Sequence, residues 1–353
     1  MKNNNRFAVI MAGGVGSRFW PVSTAEHPKQ FHDMLGTGKS LLQQTFDRLQ
    51  RIVPESQILV LTNQAYVSLV AEQLPKVHHD NIIAEPAMRN TAPCILFAAL
   101  KIKLANPDAV FIVAPSDHFI EDEVAFISDV DLAMEYASRE DVLLTLGIVP
   151  TFPNTGFGYI ESGENLGAFK RVKQFREKPD LDTAKEFLAA GTFYWNAGIF
   201  VWSARSVLSA FEKYQPEMMQ LFSVFSEVQT AEETKATLAQ VYPQAANISI
   251  DYAVMEPAQN VVVLPASFDW NDLGTWGALY EKLPKDAQNN AVVNARLLSK
   301  ESNGNVISTT SNKRIVVKGL SNFMIVETHD TILIYPLSDE QSIKEISAEA
   351  ARL

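Results

Sequence analysis

The sequence predicts an α/β protein built on a mixed, mostly parallel sheet. Short apolar runs of strand length alternate with amphipathic segments of helix length along the first half of the chain. This alternation is typical of repeated βαβ units with right-handed crossovers. The first apolar run also breaks into a glycine-rich loop followed by cations, and ligands bind at such loops, beyond the carboxyl ends of parallel strands.

The first apolar run, Phe7–Ala12, has the length and flanks of a buried strand. It leads into three closely spaced glycines: Gly13, Gly14 and Gly16. Glycine lets a backbone approach a ligand closely, and successive backbone N–H groups form a concavity that attracts anions. Because Arg18 and Lys29 follow the loop, we interpret this stretch as a site for a nucleoside triphosphate.

Two other glycine-loop interpretations fit less well. The dinucleotide fingerprint needs a third glycine where Phe19 stands, and an acid where the second strand ends in Thr62. A P-loop at Gly38–Ser40 needs a glycine where Asp33 stands. We therefore predict that Ser40 caps the next helix.

The first half of the chain continues with further helices and strands in alternation. Strands are predicted at Ile58–Thr62, Ile82–Ala84, Ala109–Ala114 and Val142–Gly147. Helices are predicted at Leu41–Ile52, Tyr66–Leu74, Ala92–Leu104 and Val124–Ser138, with Pro75 ending the second and Thr91 capping the third. Since Glu85–Arg89 and Asp117 follow strand ends, we expect them to converge with the glycine loop on one cleft.

The second half is richer in aromatic residues and ends in a β-rich tail. The segment Thr155–Ile160 is predicted to open a strand, and further strands are predicted at Val172–Arg176, Phe200–Trp202 and Val261–Pro265. Helices are predicted at Arg205–Tyr214, Glu217–Val241 and Ser249–Glu256. Composition changes near Lys285. The short β-branched runs beyond it predict β hairpins or a small solenoid; they are Val306–Thr309, Arg314–Val317, Phe323–Val326 and Thr331–Tyr335. A helix is predicted at Ser338–Arg352. We predict a catalytic domain at residues 1–284 and a small domain at 285–353.

Composition excludes several classes of protein. The net charge of −11 argues against a nucleic-acid-binding protein, which would have a basic face, while local cations still suffice for a nucleotide. No apolar run is long enough for a transmembrane helix, and the N-terminal residues lack a signal-peptide pattern. The single cysteine, Cys94, excludes an intrachain disulfide. We therefore expect a cytoplasmic protein with no membrane partner.

Two aspartates are candidate metal ligands. Asp117 and Asp272 each follow an apolar run at a predicted strand end. Mg²⁺ takes carboxylate and phosphate oxygens and keeps several waters, so two carboxylates facing one triphosphate suffice. The alternative for each residue is a helix cap or turn.

A second set of polar residues suits a sugar phosphate. Glu177 can accept hydrogen bonds from hydroxyl groups, Lys178 can bind a phosphate, and Asn196 can both donate to and accept from a hydroxyl. The alternatives are a surface ion pair with the flanking Arg176 or Asp180, and a buried turn for Asn196.

Taken together, these segments resemble one known family. The order of the motifs GGVGSRFWP, PKQF, EPAMRNTAP, PSDH, TGFGYI, FREKP, WNAGIF, SIDYAVME and FDWNDLGTW is similar to that in bacterial mannose-1-phosphate guanylyltransferases. The resemblance covers roughly residues 6 to 280 and implies a Rossmann-like nucleotidyltransferase domain with a short left-handed β-helix-like tail. Bifunctional members carry an additional isomerase domain. Because 353 residues are too few for both domains, we expect this chain to be of the monofunctional type.

The resemblance also implies a reaction and a set of roles. GTP and mannose 1-phosphate would give GDP-mannose and diphosphate, with Mg²⁺ held by Asp117 and Asp272. Arg18 and Lys29 would be catalytic. The nucleotide would be bound by Ala12, Gly13, Gly14, Gly16, Ser17, Glu85, Arg89 and Asn90, and the sugar phosphate by Gly158, Glu177, Lys178 and Asn196.

Other functions stay open at this point. One is a nucleotidyltransferase for another pair, such as glucose 1-phosphate with a different nucleoside triphosphate. Another is a sensor that binds sugar nucleotides without catalysis. This is disfavoured because the four candidate reactive residues are all present: Arg18, Lys29, Asp117 and Asp272. A nicotinamide-dependent oxidoreductase is disfavoured by Phe19 and Thr62. Unsealed strand edges in the tail are compatible with a homodimer.

Overall fold

The computed structural model describes residues 4–226 and 230–352, and the chain divides into two compact units. The first unit contains the residues up to Gly13 together with Phe46–Pro115 and Ile120–Trp270. The second contains Gly14–Thr45, Ser116–Phe119 and the residues from Asn271 onward. The domain boundary after residue 284, which the change in composition near Lys285 predicts, stays a prediction.

The first unit is built on a nine-stranded sheet. Its strands are β1 Arg6–Met11, β2 Ile58–Asn63, β3 Ile82–Glu85, β4 Val110–Pro115, β5 Leu143–Ile148, β6 Gly158–Leu166, β7 Phe169–Glu177, β8 Phe193–Ser203 and β9 Val261–Pro265. The spatial order is β3-β2-β1-β4-β8-β5-β9-β7-β6. Strands β1, β2, β4 and β5 are almost continuously apolar because both faces of the sheet are covered.

The sheet is mixed and mostly parallel, as predicted, since every strand except β7 and β8 runs in the same direction. Parallel pairing is confined to the block β3-β2-β1-β4 and the pair β5–β9. Strand β8 runs antiparallel to β4, β5 and β6, and β7 runs antiparallel to β6 and β9. The apolar runs indicated strands correctly, but an apolar run carries no information about strand direction.

The parallel strands β1 to β4 all end at the same edge of the sheet, where several candidate residues follow them. Met11 at the end of β1 pairs with Pro115 at the end of β4, and Asn63 at the end of β2 pairs with Glu85 at the end of β3. The glycine loop, Glu85 and the segment leading to Asp117 therefore all leave the sheet at its carboxyl edge, as expected for a parallel block.

Helices cover the sheet of the first unit, and most lie close to their predicted positions. They are α1 Leu41–Leu49, within which the division between the units falls, α2 Val67–Gln73, α3 Thr91–Ala105, α4 Glu123–Arg139, α5 Leu181–Ala190, α6 Ala204–Tyr214, α7 Pro216–Phe222 and α8 Ala231–Val241. Helix α1 ends before the predicted Ile52, and α7 and α8 replace the single predicted helix Glu217–Val241, of which residues 227–229 lie outside the described residues. A large apolar core joins α3, α6 and the sheet.

Two predicted helix caps had different outcomes. Ser40 caps α1 as predicted, because Ser40 Oγ accepts from the Gln43 N–H at 3.2 Å while Gln43 Oε1 accepts from the Ser40 N–H at 3.0 Å. The Thr91 cap was wrong. Asn90 caps α3 by accepting from the Thr91 N–H at 3.0 Å, and Thr91 Oγ1 instead accepts from the Ile250 N–H at 2.8 Å.

The second unit contains the tail and the segments that return to it. Its strands are β10 Ala291–Val293, β11 Arg296–Lys300, β12 Val306–Thr309, β13 Arg314–Lys318, β14 Phe323–Glu327 and β15 Ile332–Pro336, and its helices are α9 Trp276–Lys282 and α10 Ile343–Ala350. Strands β10, β12 and β14 are parallel, as are β11 and β13, whereas β15 returns antiparallel to β14. The tail thus contains parallel pairs and one antiparallel hairpin, β14–β15.

Among the residues described, no helix is both long enough and apolar enough to cross a bilayer.

Candidate active site

In the glycine loop the carbonyl groups of Gly14 and Val15 are hydrogen-bonded by neighbouring residues, whereas among the described residues their backbone N–H groups are not. Gln30 Nε2 donates to the Gly14 carbonyl at 2.9 Å. The Val15 carbonyl accepts from Ser23 Oγ at 2.5 Å and from the Lys29 backbone N–H at 3.4 Å. Within the described part of the chain, the N–H groups of Gly14 and Val15 donate no hydrogen bond. Such groups can bind an anion.

Gly16 is required at its position for two separate reasons. Its φ of 66° lies in the left-handed region, which disfavours residues with a side chain. A Cβ built at Gly16 would also lie 2.6 Å from Lys29 Cβ, closer than two non-bonded carbon atoms can approach. The glycine therefore lets the loop and Lys29 pack directly together.

Lys29 is buried and its ammonium group is fully hydrogen-bonded. Lys29 Nζ lies 2.8 Å from Asp117 Oδ2 and 3.0 Å from the carbonyl oxygens of Asp272 and Leu273. An ammonium group has three N–H donors, so all three are used by protein oxygens. The same nitrogen lies 5.5 Å from the centre of the Phe19 ring, a cation–π contact. Lys29 thus joins the two aspartate segments.

Asp117 is held as a carboxylate by its neighbours. Burial alone would raise the pKa of Asp117, but the charges of Lys29 and His118 and the hydrogen bond from Lys29 outweigh burial and lower it. His118 Nε2 lies 3.9 Å from Asp117 Oδ1. About a third of the Asp117 side chain, 33%, is exposed, so the ionised group can reach a ligand.

The segment carrying Asp272 is strained. Leu273 is completely buried and has a φ of 44°, an unusual conformation for a bulky residue. This conformation helps place the Asp272 and Leu273 carbonyls on the ammonium group of Lys29. The Asp272 carboxylate accepts from the Gly274 N–H at 3.0 Å through Oδ1. Backbone strain of this kind is concentrated at functional sites.

These residues line one cavity of about 490 Å³, all of it within the second unit. Its walls are formed by Gly16, Ser17, Arg18, Phe19, Lys29, Asp117, His118, Asp272, Gly274, Gln341 and Lys344. The structure therefore brings together both predicted catalytic residues, both predicted metal ligands and two of the predicted nucleotide-binding residues.

The carboxylates of this cavity suit a hard divalent cation. Among the residues described, no group of three or more His, Cys, Asp or Glu side chains is arranged to enclose a metal ion. Mg²⁺ does not need such a cage, since it is usually held by one or two carboxylates and completes its shell with water and substrate phosphates. Asp117 and Asp272 fit this second kind of site.

A second cluster of predicted residues lies within the first unit. Gly158 at the start of β6 pairs with Glu177 at the end of β7. A Cβ on Gly158 would collide with Glu177 Oε2 and would lie 3.3 Å from Asn196 Cβ. Gly158, Glu177 and Asn196 therefore crowd around one point. Lys178 Nζ lies 3.1 Å from Glu177 Oε1, and the Lys178 side chain is 62% exposed.

The flanking-residue alternative for this cluster does not hold for Asp180. Asp180 caps α5 by accepting from the Thr183 N–H at 2.8 Å. Lys178 instead pairs with its neighbour Glu177 and adopts a φ of 49°. A cation held in this way can exchange a protein carboxylate for a phosphate.

Asp251 belongs to this cluster, although sequence reasoning missed it. Asn196 Nδ2 donates to Asp251 Oδ1 at 2.8 Å, and Asn196 Oδ1 accepts from the Gly198 N–H at 3.1 Å. Burial and the charge of Glu177 raise the pKa of Asp251 to about 6. Asp251 begins a one-turn π-helix, Asp251–Met255, and such turns are often found at functional sites. Its motif, SIDYAVME, was the only signal that could have pointed to it.

Two of the predicted nucleotide-binding residues, Glu85 and Arg89, are bonded to a short 3₁₀-helix at Tyr242–Gln244. Tyr242 Oη donates to Glu85 Oε2 at 3.0 Å, and an Arg89 guanidinium N–H donates to the Pro243 carbonyl. Burial raises the pKa of Glu85 to about 7, although the hydrogen bonds from Tyr242 and Cys94 lower it. Arg89 is thus used to fix the segment.

The two residues that follow the first strand, Ala12 and Gly13, have simpler surroundings. Ala12 donates to the Leu61 carbonyl at 2.8 Å and accepts from Thr62 Oγ1 at 2.9 Å. A Cβ on Gly13 would meet no atom within 4 Å.

Comparison with known proteins identifies the family. A family model described as nucleotidyl transferase matches residues 7–289, which is most of the chain. The chain belongs to the nucleotidyl transferase family. A mannose-1-phosphate guanylyltransferase from Salmonella typhimurium is 39% identical over 345 residues, which are 96% of this chain and 71% of that protein.

Other relatives place this nucleotidyl transferase in the same branch. A mannose-1-phosphate guanylyltransferase from Klebsiella pneumoniae is 36% identical over 346 residues, which are 96% of this chain and 72% of the relative. The crystal structure of a mannose-1-phosphate geranyltransferase from Thermus thermophilus superposes with a TM-score of 0.89 at 28% identity, covering 98% of this chain and 99% of that one. The chain is therefore a member of the mannose-1-phosphate guanylyltransferase branch, in a family whose enzymes generally use a divalent metal.

Proposed function

We propose that this nucleotidyl transferase makes GDP-mannose and diphosphate from GTP and α-D-mannose 1-phosphate. One observation carries the proposal: a chain similar to guanylyltransferases over nearly its whole length has Arg18, Lys29, Asp117 and Asp272 around one cavity. Loss of any one of them would be expected in a binding protein that had abandoned catalysis, so their presence together supports an enzyme.

The reaction is an in-line displacement at the α-phosphorus of GTP. An oxygen of the sugar phosphate forms the new bond, the bond to the bridging oxygen breaks, and diphosphate leaves with the electron pair. No covalent enzyme intermediate is required, so the protein must position two polyanions and counter their charge. The loop N–H groups of Gly14 and Val15 would hold the nucleotide phosphates, and Arg18 would bind the departing diphosphate.

Asp117 and Asp272 would hold the divalent metal, which we propose is Mg²⁺. When bound, such a cation neutralises phosphate charge and orients the reacting groups. Lys29 would set the position of both aspartates, since it donates to the carboxylate of the first and to the carbonyl of the second. Lys29 would then position the two candidate metal ligands in addition to the catalytic role that the resemblance implies.

The cluster in the first unit would bind the mannose part of the substrate. Glu177, Asn196 and Asp251 would offer carboxylate and amide groups to hydroxyls, and the absence of a side chain at Gly158 lets Glu177 and Asn196 come close together. Lys178 would bind the sugar phosphate. Glu85 and Asn90 would lie at the guanine, with Arg89 fixing the segment.

A substrate panel tests the proposed function. The purified protein is incubated with Mg²⁺, each of four nucleoside triphosphates and either mannose 1-phosphate or glucose 1-phosphate, and the nucleotide sugars are separated by chromatography. We expect GDP-mannose, with kcat/KM at least about 100-fold above other pairs because unpaired polar groups penalise wrong sugars. Lys29→Ala, which should lower turnover by about 100-fold or more, controls for contaminating activity. Preference for another pair, or no product from any pair, would overturn the proposal.

We propose further that the tail is a short left-handed β-helix. Its support is the parallel register, in which Arg296 pairs with Arg314 and Val306 with Met324, one coil later in each case.

Strand β15 exposes Ile332 and Ile334 at the end of the four-stranded sheet, which supports a homodimer formed through this edge. Light scattering of the wild type and of Ile334→Lys tests the dimer: a monomeric wild type would contradict it.

A further inference from the structure

The end of the chain contributes two polar side chains to the candidate phosphate cavity. Gln341, in a 3₁₀-helix at Leu337–Ser342, and Lys344, in the first turn of α10, both line it together with Arg18 and Lys29. Arg18 and Lys344 are separated by almost the whole chain in sequence but belong to the same compact unit.

The backbone beneath these two side chains is firmly anchored. Ile343 is completely buried in the apolar cluster that contains Phe19 and Trp276. Glu340 Oε2 accepts from the Gly277 N–H at 2.7 Å, next to the start of α9. The hydroxyls of Ser342 and Tyr335 lie 2.8 Å apart. Lys344 therefore extends from a fixed point, and it is exposed.

A further cation is needed to bind phosphate in this cavity, because the charge of Lys29 is already paired within the protein. Lys29 lines the cavity, but its three N–H groups are used by Asp117, Asp272 and Leu273. Within residues 4–226 and 230–352, neither Arg18 nor Lys344 forms an ion pair. These two side chains can therefore receive a highly charged phosphate group without first losing a protein partner.

We propose that Lys344 and Gln341 bind the departing diphosphate together with Arg18. This inference rests on the proposed function, because diphosphate is the leaving group of that reaction. As the bond to the α-phosphorus breaks, negative charge develops on the leaving oxygen, and a cation at this position favours its departure. The sugar phosphate is assigned elsewhere, to Lys178 in the cluster with Glu177, so the cavity with the glycine loop is the place for the other phosphates.

The reverse reaction, in which diphosphate is a substrate, tests this directly. In Lys344→Ala we expect the KM for diphosphate to rise about 10-fold or more, since hydrogen bonds to charged groups are the strong ones. The KM for GDP-mannose should stay within about threefold, and Lys344→Arg should restore most of the loss. Gln341→Ala should show a smaller change in the same constant. Lys318→Ala is the matched control, since Lys318 is an exposed lysine of the same unit.

A purely structural role for Lys344 would lower thermal stability without separating the two Michaelis constants. An unchanged KM for diphosphate in Lys344→Ala would overturn the inference, and so would a rise confined to the KM for mannose 1-phosphate in the forward direction. If the wild type makes no GDP-mannose, the proposed function fails by itself. The affinity of the wild type and of Lys344→Ala for inorganic diphosphate with Mg²⁺, measured by calorimetry, then still tests the inference. Equal affinities of the two proteins would overturn it.

Discussion

Lys29 Nζ lies 2.8 Å from Asp117 Oδ2 and also donates to the carbonyl oxygens of Asp272 and Leu273, so one buried ammonium group links two candidate metal-binding segments. These segments are distant in sequence, and the same lysine holds both of them. The position of both aspartates therefore depends on a lysine that a simple electrostatic account would have placed on the substrate.

Lys29→Ala should lower turnover by about 100-fold or more while the protein still folds. The variant should also lose about 1–3 kcal/mol of unfolding free energy, because Asp117 and two carbonyl groups lose their donor, a penalty moderated by the partial exposure of Asp117. Turnover and urea unfolding measure the two effects. Lys76→Ala, which removes a lysine from an exposed ion pair with Glu55, should change neither. A Lys29→Ala enzyme with wild-type turnover would contradict the assigned role.

Gly16→Ala and Gly38→Ala should separate backbone strain from steric collision. Both glycines have positive φ, 66° and 81°, but an added Cβ at Gly16 would lie 2.6 Å from Lys29 Cβ, whereas at Gly38 it would meet nothing within 4 Å. Each variant should lose about 1–2 kcal/mol of stability through strain. Only Gly16→Ala should also lose activity, by about tenfold or more, as Lys29 is displaced. Equal activity in the two variants would rule out this explanation.

Asp272→Asn should raise the Mg²⁺ concentration for half-maximal activity by about tenfold or more, since a neutral amide is a weaker ligand for a hard cation. The amide oxygen can still accept from the Gly274 N–H, so the local fold should be kept. Asp330→Asn, in an exposed turn, is the control. A metal titration curve for Asp272→Asn that superposes on the wild-type curve would remove Asp272 from the ligand set.

Glu85 should make stability depend on pH. Its pKa of about 7 in the folded protein exceeds the ordinary 4.5, so the folded state binds the proton more tightly than the unfolded state. Its contribution is therefore fully present below about pH 4.5 and is lost as pH rises through about 7. We expect Glu85→Gln to reduce the fall in unfolding free energy between about pH 5 and 8 by about 1–3 kcal/mol, measured by urea unfolding. Glu55→Gln should leave that fall unchanged, and a fall of wild-type size in Glu85→Gln would refute the prediction.

Sequence reasoning brought the glycine loop and Asp117 to one cavity because both follow strand ends, whereas Glu85–Arg89, expected at the same cleft, is not among the residues that line it. Parallel strands that carry Met11 and Pro115 to one edge bring the glycine loop and the segment of Asp117 away from the sheet together. Residue type then indicated the chemistry, since glycines, a lysine and two aspartates suit a polyphosphate and a cation. The direction of β8 could not be predicted, because a fully buried apolar strand reads the same in both directions.

The residues that were missed owe their positions to tertiary packing. Lys344 and Gln341 sit in a polar C-terminal segment that looks like an ordinary exposed helix. The burial of Ile343, the Glu340–Gly277 hydrogen bond and the contact between the Ser342 and Tyr335 hydroxyls anchor this segment beside the cavity. Asp251 lies in a short motif with no metal or catalytic spacing, and its partner Asn196 is far away in sequence. Local patterns do not encode contacts of this kind.

The central claim is that Asp117 and Asp272 hold a divalent cation beside the nucleotide phosphates. Crystals grown with GDP-mannose and Mn²⁺, a metal with a usable anomalous signal, test it without relying on activity. We predict an anomalous peak within coordination distance of both carboxylates and of a phosphate oxygen, and its absence from crystals of Asp272→Asn. A wild-type crystal with GDP-mannose bound and no such peak at these two aspartates, or with the peak elsewhere, would contradict the account.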